Sequence, residues 1–259
     1  MPSRSRRFLH LSALLPLIFL TVPGSVAAGV APLIDFHAGI GYWQPGLSGD
    51  VASDGQNFDV EDDLDFDRNN THIFEVGVRH PISLLPNARL RHQSLSDSAT
   101  SALQRSRRFG PIEFQHEESV RSSYDLDMTD LTLYYRPLSN VVTLDFGITA
   151  RYLDLGVEIE SRDSGERESA GGSTVIPMGH LALRGDLPLT GLYAGGELNV
   201  ISASGNRLLD FRVGLGWESR RVFGVEAGYR HLDLKVDDLN GLDADLSLAG
   251  PYAAVNVRF

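Results

Sequence analysis

Apolar residues recur at every second position through the last third of the chain. Between 244 and 259, Ala249, Pro251, Ala253, Val255, Val257 and Phe259 share one face, and Leu248, Gly250, Tyr252, Ala254, Asn256 and Arg258 the other. Phe223, Val225, Ala227 and Tyr229 likewise oppose Gly224, Glu226, Gly228 and Arg230, and Leu209, Phe211, Val213, Leu215 and Trp217 oppose Asp210, Arg212, Gly214, Gly216 and Glu218. A period of two puts successive side chains on opposite faces of a strand. One face apolar and the other polar or small predicts a strand that crosses a bilayer between lipid and a lumen.

The same period predicts ten strands, near 33–43, 71–81, 87–98, 124–136, 142–158, 173–187, 191–202, 207–218, 222–236 and 244–259. The fold class that follows is all-β, an antiparallel up-and-down transmembrane barrel. The alternation is faintest in the third strand, where Arg89, Arg91 and Gln93 leave little apolar face, and in the fourth, where it blurs from Asp125 to Met128. In the fifth and ninth it changes phase just after an arginine, in Arg151-Tyr-Leu-Asp-Leu-Gly-Val-Glu158 and Arg230-His-Leu-Asp-Leu-Lys-Val-Asp237. Such a flip marks either a β-bulge or a strand leaving the lipid band.

Connections alternate in length. Those at 81–86, 136–140, 187–190 and 219–221 are short; linkers near 44–70, 99–123 and 159–172 are long, with shorter ones near 203–206 and 237–243. Bacterial barrels keep short turns in the periplasm and long loops outside. Both termini are then expected in the periplasm.

Residues 1–28 read as a cleaved secretory leader, with Arg4, Arg6 and Arg7, an apolar run from Leu9 to Thr21, and small residues Ser25-Val-Ala-Ala28. The barrel is expected over 29–259. Removing the leader removes three Arg and no acid, leaving 20 basic and 34 acidic residues in 231, a formal −14. That balance argues against nucleic acid as a partner. The absence of cysteine excludes a disulfide framework, thiol chemistry and a Cys-bound metal.

A barrel of this size has an interior that side chains nearly fill. The expected inward charges are Asp35, Glu75, Asp145, Glu197, Asp210 and Glu226 against Arg79, Arg89, Arg91, Arg151, Arg184, Arg212 and Arg230. Ions shut inside a barrel must be paired or hydrated, so these residues read as a structural lattice of Arg–carboxylate pairs in the lumen. A narrow solute or ion channel is the alternative.

Other stretches carry weaker chemistry. Asp59, Glu61, Asp63, Asp65 and Asp67 alternate along one loop, an oxygen-rich edge of the kind hard cations favour, but without the spacing of a helix-loop-helix calcium site. Asp237, Asp238, Asp243 and Asp245 form a second acidic loop, and Arg105, Arg107 and Arg108 a basic cluster that could meet lipid phosphates. All three read first as solvated charge runs. No cofactor is implied. For catalysis the candidates are His231 with Asp233 and Asp125 with Asp127, each pair two residues apart on a strand near the outer rim. In residue types and strand number, and no further, they resemble the aspartate-type outer-membrane proteases. The pairs are expected to stand apart, because His231 shares parity with the lipid-facing set, and no catalytic role is assigned.

The segments Val175-Ile-Pro-Met-Gly179, Arg184-Gly-Asp-Leu-Pro188, Gly191-Leu-Tyr-Ala-Gly-Gly-Glu197, Val225-Glu-Ala-Gly-Tyr-Arg230 and Gly250-Pro-Tyr252 resemble a group of proteobacterial outer-membrane β-barrel proteins without assigned activity. The resemblance is strongest over 173–259, with Gly39-Ile-Gly41 and Asp62-Asp-Leu64 also fitting. It implies fold and location and carries over no catalytic residue. The terminal Phe259, with Val257 and Val255 on the same face, is similar to the signal read by the outer-membrane assembly machinery. That machinery and the outer-membrane lipids are the expected partners, in a structural or surface-interaction role.

Overall fold

The computed structural model describes residues 34–53, 56–59, 70–102, 107–109, 112–114, 119–203, 206–219, 222–239 and 242–259. Residues 1–28 and the side chains of the 59–67 stretch, of Arg105, Arg107 and Arg108, and of Asp237 and Asp238 lie outside what is described.

Alternating sequence becomes strand almost everywhere it was expected. The elements are β1 (Asp35–Trp43), β2 (Gly46–Ser53), β3 (Gln56–Asp59), β4 (Thr71–Arg79), β5 (Asn87–Ala102), β6 (Arg107–Phe109), β7 (Ile112–Phe114), β8 (Ser119–Ser139), β9 (Val142–Ser161), β10 (Arg167–Asp186), β11 (Leu192–Ala203), β12 (Asn206–Glu218), β13 (Phe223–Leu239) and β14 (Leu242–Arg258). The order β1-β4-β5-β8-β9-β10-β11-β12-β13-β14 closes on itself through the β1–β14 pairing, giving a ring of ten antiparallel strands. β2 continues the line of β1 past Gln44-Pro45: β1 pairs with the last residues of β14, and β2 with Leu242–Ala249. Closure pairs the backbone groups that an open edge would leave bare in lipid. Gln44 lacks a ladder position, but its N–H still reaches the Pro251 carbonyl at 3.1 Å.

The long linkers expected near 44–70, 99–123 and 159–172 are corrected by the structure. β2 and β3 form a hairpin in the first, β5 and β8 run deep into the second around the β6–β7 hairpin, and β9 and β10 continue until only 162–166 separates them. In upper β5 the outward row is Ser94, Ser96, Ser98 and Thr100, and in upper β9 it includes Asp154, Glu158 and Glu160, so a strand signal built on outward apolar periodicity stops early while the ladder continues. One end of the barrel carries the short connections and the two ends of the ring, the turn end; the other carries the extended hairpins.

The phase change after Arg151 and Arg230 has a single cause. β9 pairs with β8 in unbroken register from Ser161 down to Phe146, and with β10 from Glu160 to Val142. β13 pairs with β12 without interruption from Gly224 to Lys235. No bulge occurs, so side-chain direction is constant and only the chemistry inverts. Inward on β9 come Asp145, Gly147, Thr149 and Arg151, then Leu153, Leu155, Val157 and Ile159; outward come Phe146, Ile148 and Tyr152, then Asp154, Glu158 and Glu160. β13 repeats it: Glu226, Gly228 and Arg230 give way inward to Leu232, Leu234 and Val236, and Val225, Ala227 and Tyr229 give way outward to His231, Asp233 and Lys235. The register irregularities fall elsewhere, at Tyr135/Leu138 beside Pro137 and at Val236/Leu239.

The barrel therefore has two halves of opposite polarity. Toward the turn end the outside is apolar and the inside charged, the anatomy of a transmembrane β-barrel. Toward the hairpin end the outside is polar and the inside is a buried cluster that includes Leu95, Leu126, Met128, Leu153, Leu155, Leu208, Leu232, Leu234, Leu246 and Leu248. This half has the polarity of a water-soluble barrel.

Candidate functional site

The lumen of the apolar-sided half is built in layers. The layer next to the leucine core contains Arg151, Asp130, Asp210, Arg230 and Gln93, contributed by five strands. Arg151 donates through Nε and Nη2 to the two carboxylate oxygens of Asp130, at 2.6 Å each, and through Nη2 to Asp210. Arg230 donates to Asp210 from Nε at 2.8 Å and Nη2 at 2.6 Å, and from Nη1 to Gln93 Oε1. Its guanidinium carbon lies 4.5 Å from the centroid of the Trp43 ring. Both arginines are at most 2% exposed. Two guanidiniums and two carboxylates cancel in charge, and the fork geometry lets a single Asp210 bridge both cations.

Below it, Glu197 collects three cations: Arg91 at 3.0 Å, Arg89 at 2.9 Å and Arg212 at 2.7 Å. Arg91 also reaches Glu75 at 2.8 Å, with Arg212 and Arg89 3.9 and 4.0 Å from the same carboxylate. A polar chain flanks the layer: Thr149 donates to Asn199 Oδ1 at 2.9 Å, and His180 Nδ1 lies 2.8 Å from the same oxygen.

Glu226 is held differently, accepting the hydroxyls of Tyr193 at 2.8 Å and Tyr252 at 2.6 Å. Both tyrosines lie across glycines. A Cβ on Gly216 would come within 2.2 Å of the Tyr193 ring, and one on Gly214 within 2.5 Å of the Tyr252 hydroxyl. Inward glycines on β12 thus make room for rings from β11 and β14, which aim two hydroxyls at one carboxylate.

At the turn end Arg136 grips Asp145 with bonds of 2.6 and 2.7 Å, and Arg79 meets Asp35 at 2.6 Å. Arg184 bonds Asp186 and Glu218, and Arg258 reaches Glu218 at 3.0 Å. A cavity of about 230 Å³ remains among these groups, bounded by Arg79, Arg89, Arg212, Tyr193 and Glu226.

Of the inward residues read from sequence, Asp35, Glu75, Asp145, Glu197, Asp210, Arg79, Arg89, Arg91, Arg151, Arg184, Arg212 and Arg230 each lie within ion-pair distance of an opposite charge, whereas Glu226 is held by two tyrosine hydroxyls. Sequence reasoning passed over Asp130 and Arg136. Both lie on β8, where the blurred alternation concealed an inward row running Tyr124, Leu126, Met128, Asp130, Thr132, Tyr134. Asp130 stands directly opposite Arg151 in the β8–β9 register, a pairing visible only once the strands are aligned.

The two catalytic candidates do not meet. His231 Nε2 lies 3.0 Å from Asp233 Oδ1, and Asp233 also accepts from Arg207 at 3.0 Å. This pair points outward from β13, whereas Asp125 and Asp127 point outward from β8, on the opposite side of the ring. Beside Asp125 the Tyr124 hydroxyl is pushed above its usual pKa, by burial first and then by Asp97 and Asp125. Val255 and Val257 face outward opposite Ile40 and Ala38 of β1. Phe259 lies just beyond, 70% exposed, with its N–H donating to the Phe36 carbonyl at 2.9 Å.

No protein-family description matches the chain, and no curated protein matches it in sequence. Among solved structures, the outer-membrane protease OmpT of Escherichia coli aligns over 90% of this chain and 99% of its own, with 12% identity and a TM-score of 0.48. The attachment invasion locus protein Ail of Yersinia pestis aligns over 87% and 99%, with 12% identity and a TM-score of 0.35. The translocator domain of the autotransporter NalP of Neisseria meningitidis aligns over 90% and 90%, with 13% identity and a TM-score of 0.40. These are likenesses of barrel to barrel.

Proposed function

We propose that the chain is an integral outer-membrane barrel, closed to solutes, that carries a β-stranded stalk beyond the bilayer for a structural or surface-interaction role. Both termini face the periplasm and the hairpins face outward, as the short turns and the even strand number favour. One observation supports the reading above all. Between the cavity at the turn end and the hairpins stand the Arg151–Asp130–Asp210–Arg230 layer and, above it, the leucine core. An ion would have to break a neutralised lattice and then cross an apolar plug. Planar-bilayer recording of the purified protein tests this. No steps are expected from the wild type; steady single-channel steps that change with Arg230→Ala would favour a narrow channel instead. A hydrolase reading has less support, because His231–Asp233 and Asp125–Asp127 share no cleft.

Phe259, with Val257 and Val255, serves in this reading as the assembly signal. Deleting Phe259 is expected to lower the yield of heat-modifiable folded barrel far more than deleting Gly29, and equal yields would refute it.

A further inference from the structure

The lipid-facing wall is not uniform. Across β10–β13 the outward rows, read through the ladder registers, run Gly185–Ala194–Leu215–Ala227, then Leu183–Gly196–Val213–Tyr229, then Leu181–Leu198–Phe211–His231. Ala194, Gly196 and Ala227 sink the surface, while Leu183, Phe211 and Tyr229 stand beside it, leaving an apolar groove of about 860 Å³. A Cβ at Gly196 would meet nothing closer than 3.4 Å, so the missing side chain leaves space rather than relieving a clash.

Two cations stand where the groove's wall leaves the apolar band. Arg207 is the first charged outward residue on β12 above Leu209, and it pairs in register with Lys235 of β13. Like charges directly opposite on neighbouring strands oppose folding unless something answers them. Asp233 and Asp245 answer them in part, at 3.0 and 3.3 Å, through one nitrogen of each cation. The side chains remain 56% and 48% exposed. At roughly 3.3 Å per residue, Phe211 lies about 13 Å below Arg207 and Tyr229 about 20 Å below Lys235 along their strands, within reach of an extended fatty acyl chain.

We propose that the groove and the Arg207–Lys235 pair together bind one phosphorylated glycolipid of the outer leaflet, an acyl chain along Gly196 and a phosphate on the two cations. Phosphate suits this mouth because guanidinium and ammonium can each give it charge-assisted bonds, and lipid suits the groove because nothing else solvates that wall. The placement in the outer leaflet rests on the orientation proposed above; the site itself does not.

Native mass spectrometry of the purified full-length barrel would test it, with lipid A bearing its phosphates and with dephosphorylated lipid A as probes. Wild type is expected to retain the phosphorylated form preferentially, and Arg207→Ala/Lys235→Ala to bind it about 30-fold more weakly. Gly196→Leu, or Ala194→Leu should the first fail to fold, is expected to lower retention of both forms, and Arg121→Ala on β8 to change nothing. Equal retention of the two lipids, wild-type binding by the double variant, or wild-type binding by the filled groove would each overturn the proposal. Orientation is read separately by thiol labelling of Glu166→Cys in intact cells. A reversed barrel would fail that assay while leaving lipid binding in vitro untouched.

Discussion

The two halves of this barrel solve one problem in opposite ways. Both are the same ring of strands with the same inward parity, and β9 and β13 pass from one to the other without a register break. In the lower half the outside faces hydrocarbon, so it is apolar, and the inside must carry what the outside cannot; there the charges are, answered by neighbours on adjacent strands and by partners across the lumen. In the upper half the outside is polar, and the inside is a leucine-rich core like that of a soluble domain. A strand is thus neither a membrane strand nor a soluble one along its length. The solvent at each level decides which face is apolar.

The contrast can be broken most severely where the halves meet. Asp210→Ala leaves Arg230 with no carboxylate, only Gln93 and the Trp43 ring, and Arg151 with Asp130 alone, so the variant is expected to lose about 3–5 kcal/mol. Urea titration of the refolded barrel in vesicles, followed by heat-modifiable gel migration, measures it. A loss below about 1 kcal/mol would mean that water already hydrates the layer, against the sealed-lumen reading.

Truncating a leucine should matter on only one side of the boundary. Leu232, fully buried in the upper core, is expected to cost about 2–5 kcal/mol when changed to Ala. Leu215, 70% exposed to lipid, should cost less than about 1 kcal/mol, since acyl chains replace the methyls it loses. Similar losses in the same titration would mean that the upper interior is not a packed core.

Adding charge should reverse that ranking on the outer face. Leu215→Arg is expected to cost about 2–4 kcal/mol in the lipid band. Asp154→Arg, also outward but in the upper half, should stay within about 0.5 kcal/mol of wild type. There Asp127 is its direct neighbour in register, so the change also removes a like-charge contact. Equal penalties would place both residues in the bilayer.

Gly216→Ala is expected to cost about 1–3 kcal/mol, the least of the destabilising core and lumen changes, by forcing the Tyr193 ring off its glycine. The expected signature is a change in tyrosine fluorescence along with stability, because the Tyr193–Glu226 bond is lost. An unchanged spectrum would show that the ring has another place to rest.

Much of this was determined by the sequence alone. The period of two is a local property of backbone geometry, so the strand positions from β9 to β14 and the inward rows holding Glu197, Arg212 and Arg230 could be read residue by residue. The resemblance over 173–259 pointed to the same fold. What local pattern could not determine was which partner each charge would find. Asp210 lies between Arg151 of β9 and Arg230 of β13, and Glu197 of β11 draws Arg89 and Arg91 from β5; those contacts exist only because the ring closes and brings distant strands across one lumen. The cause of the phase change after Arg151 was equally out of reach, since a bulge and an exit from lipid produce the same string of letters. Only the unbroken ladder distinguishes them: hydrogen-bond register is a property of pairs of strands, and so belongs to the tertiary structure.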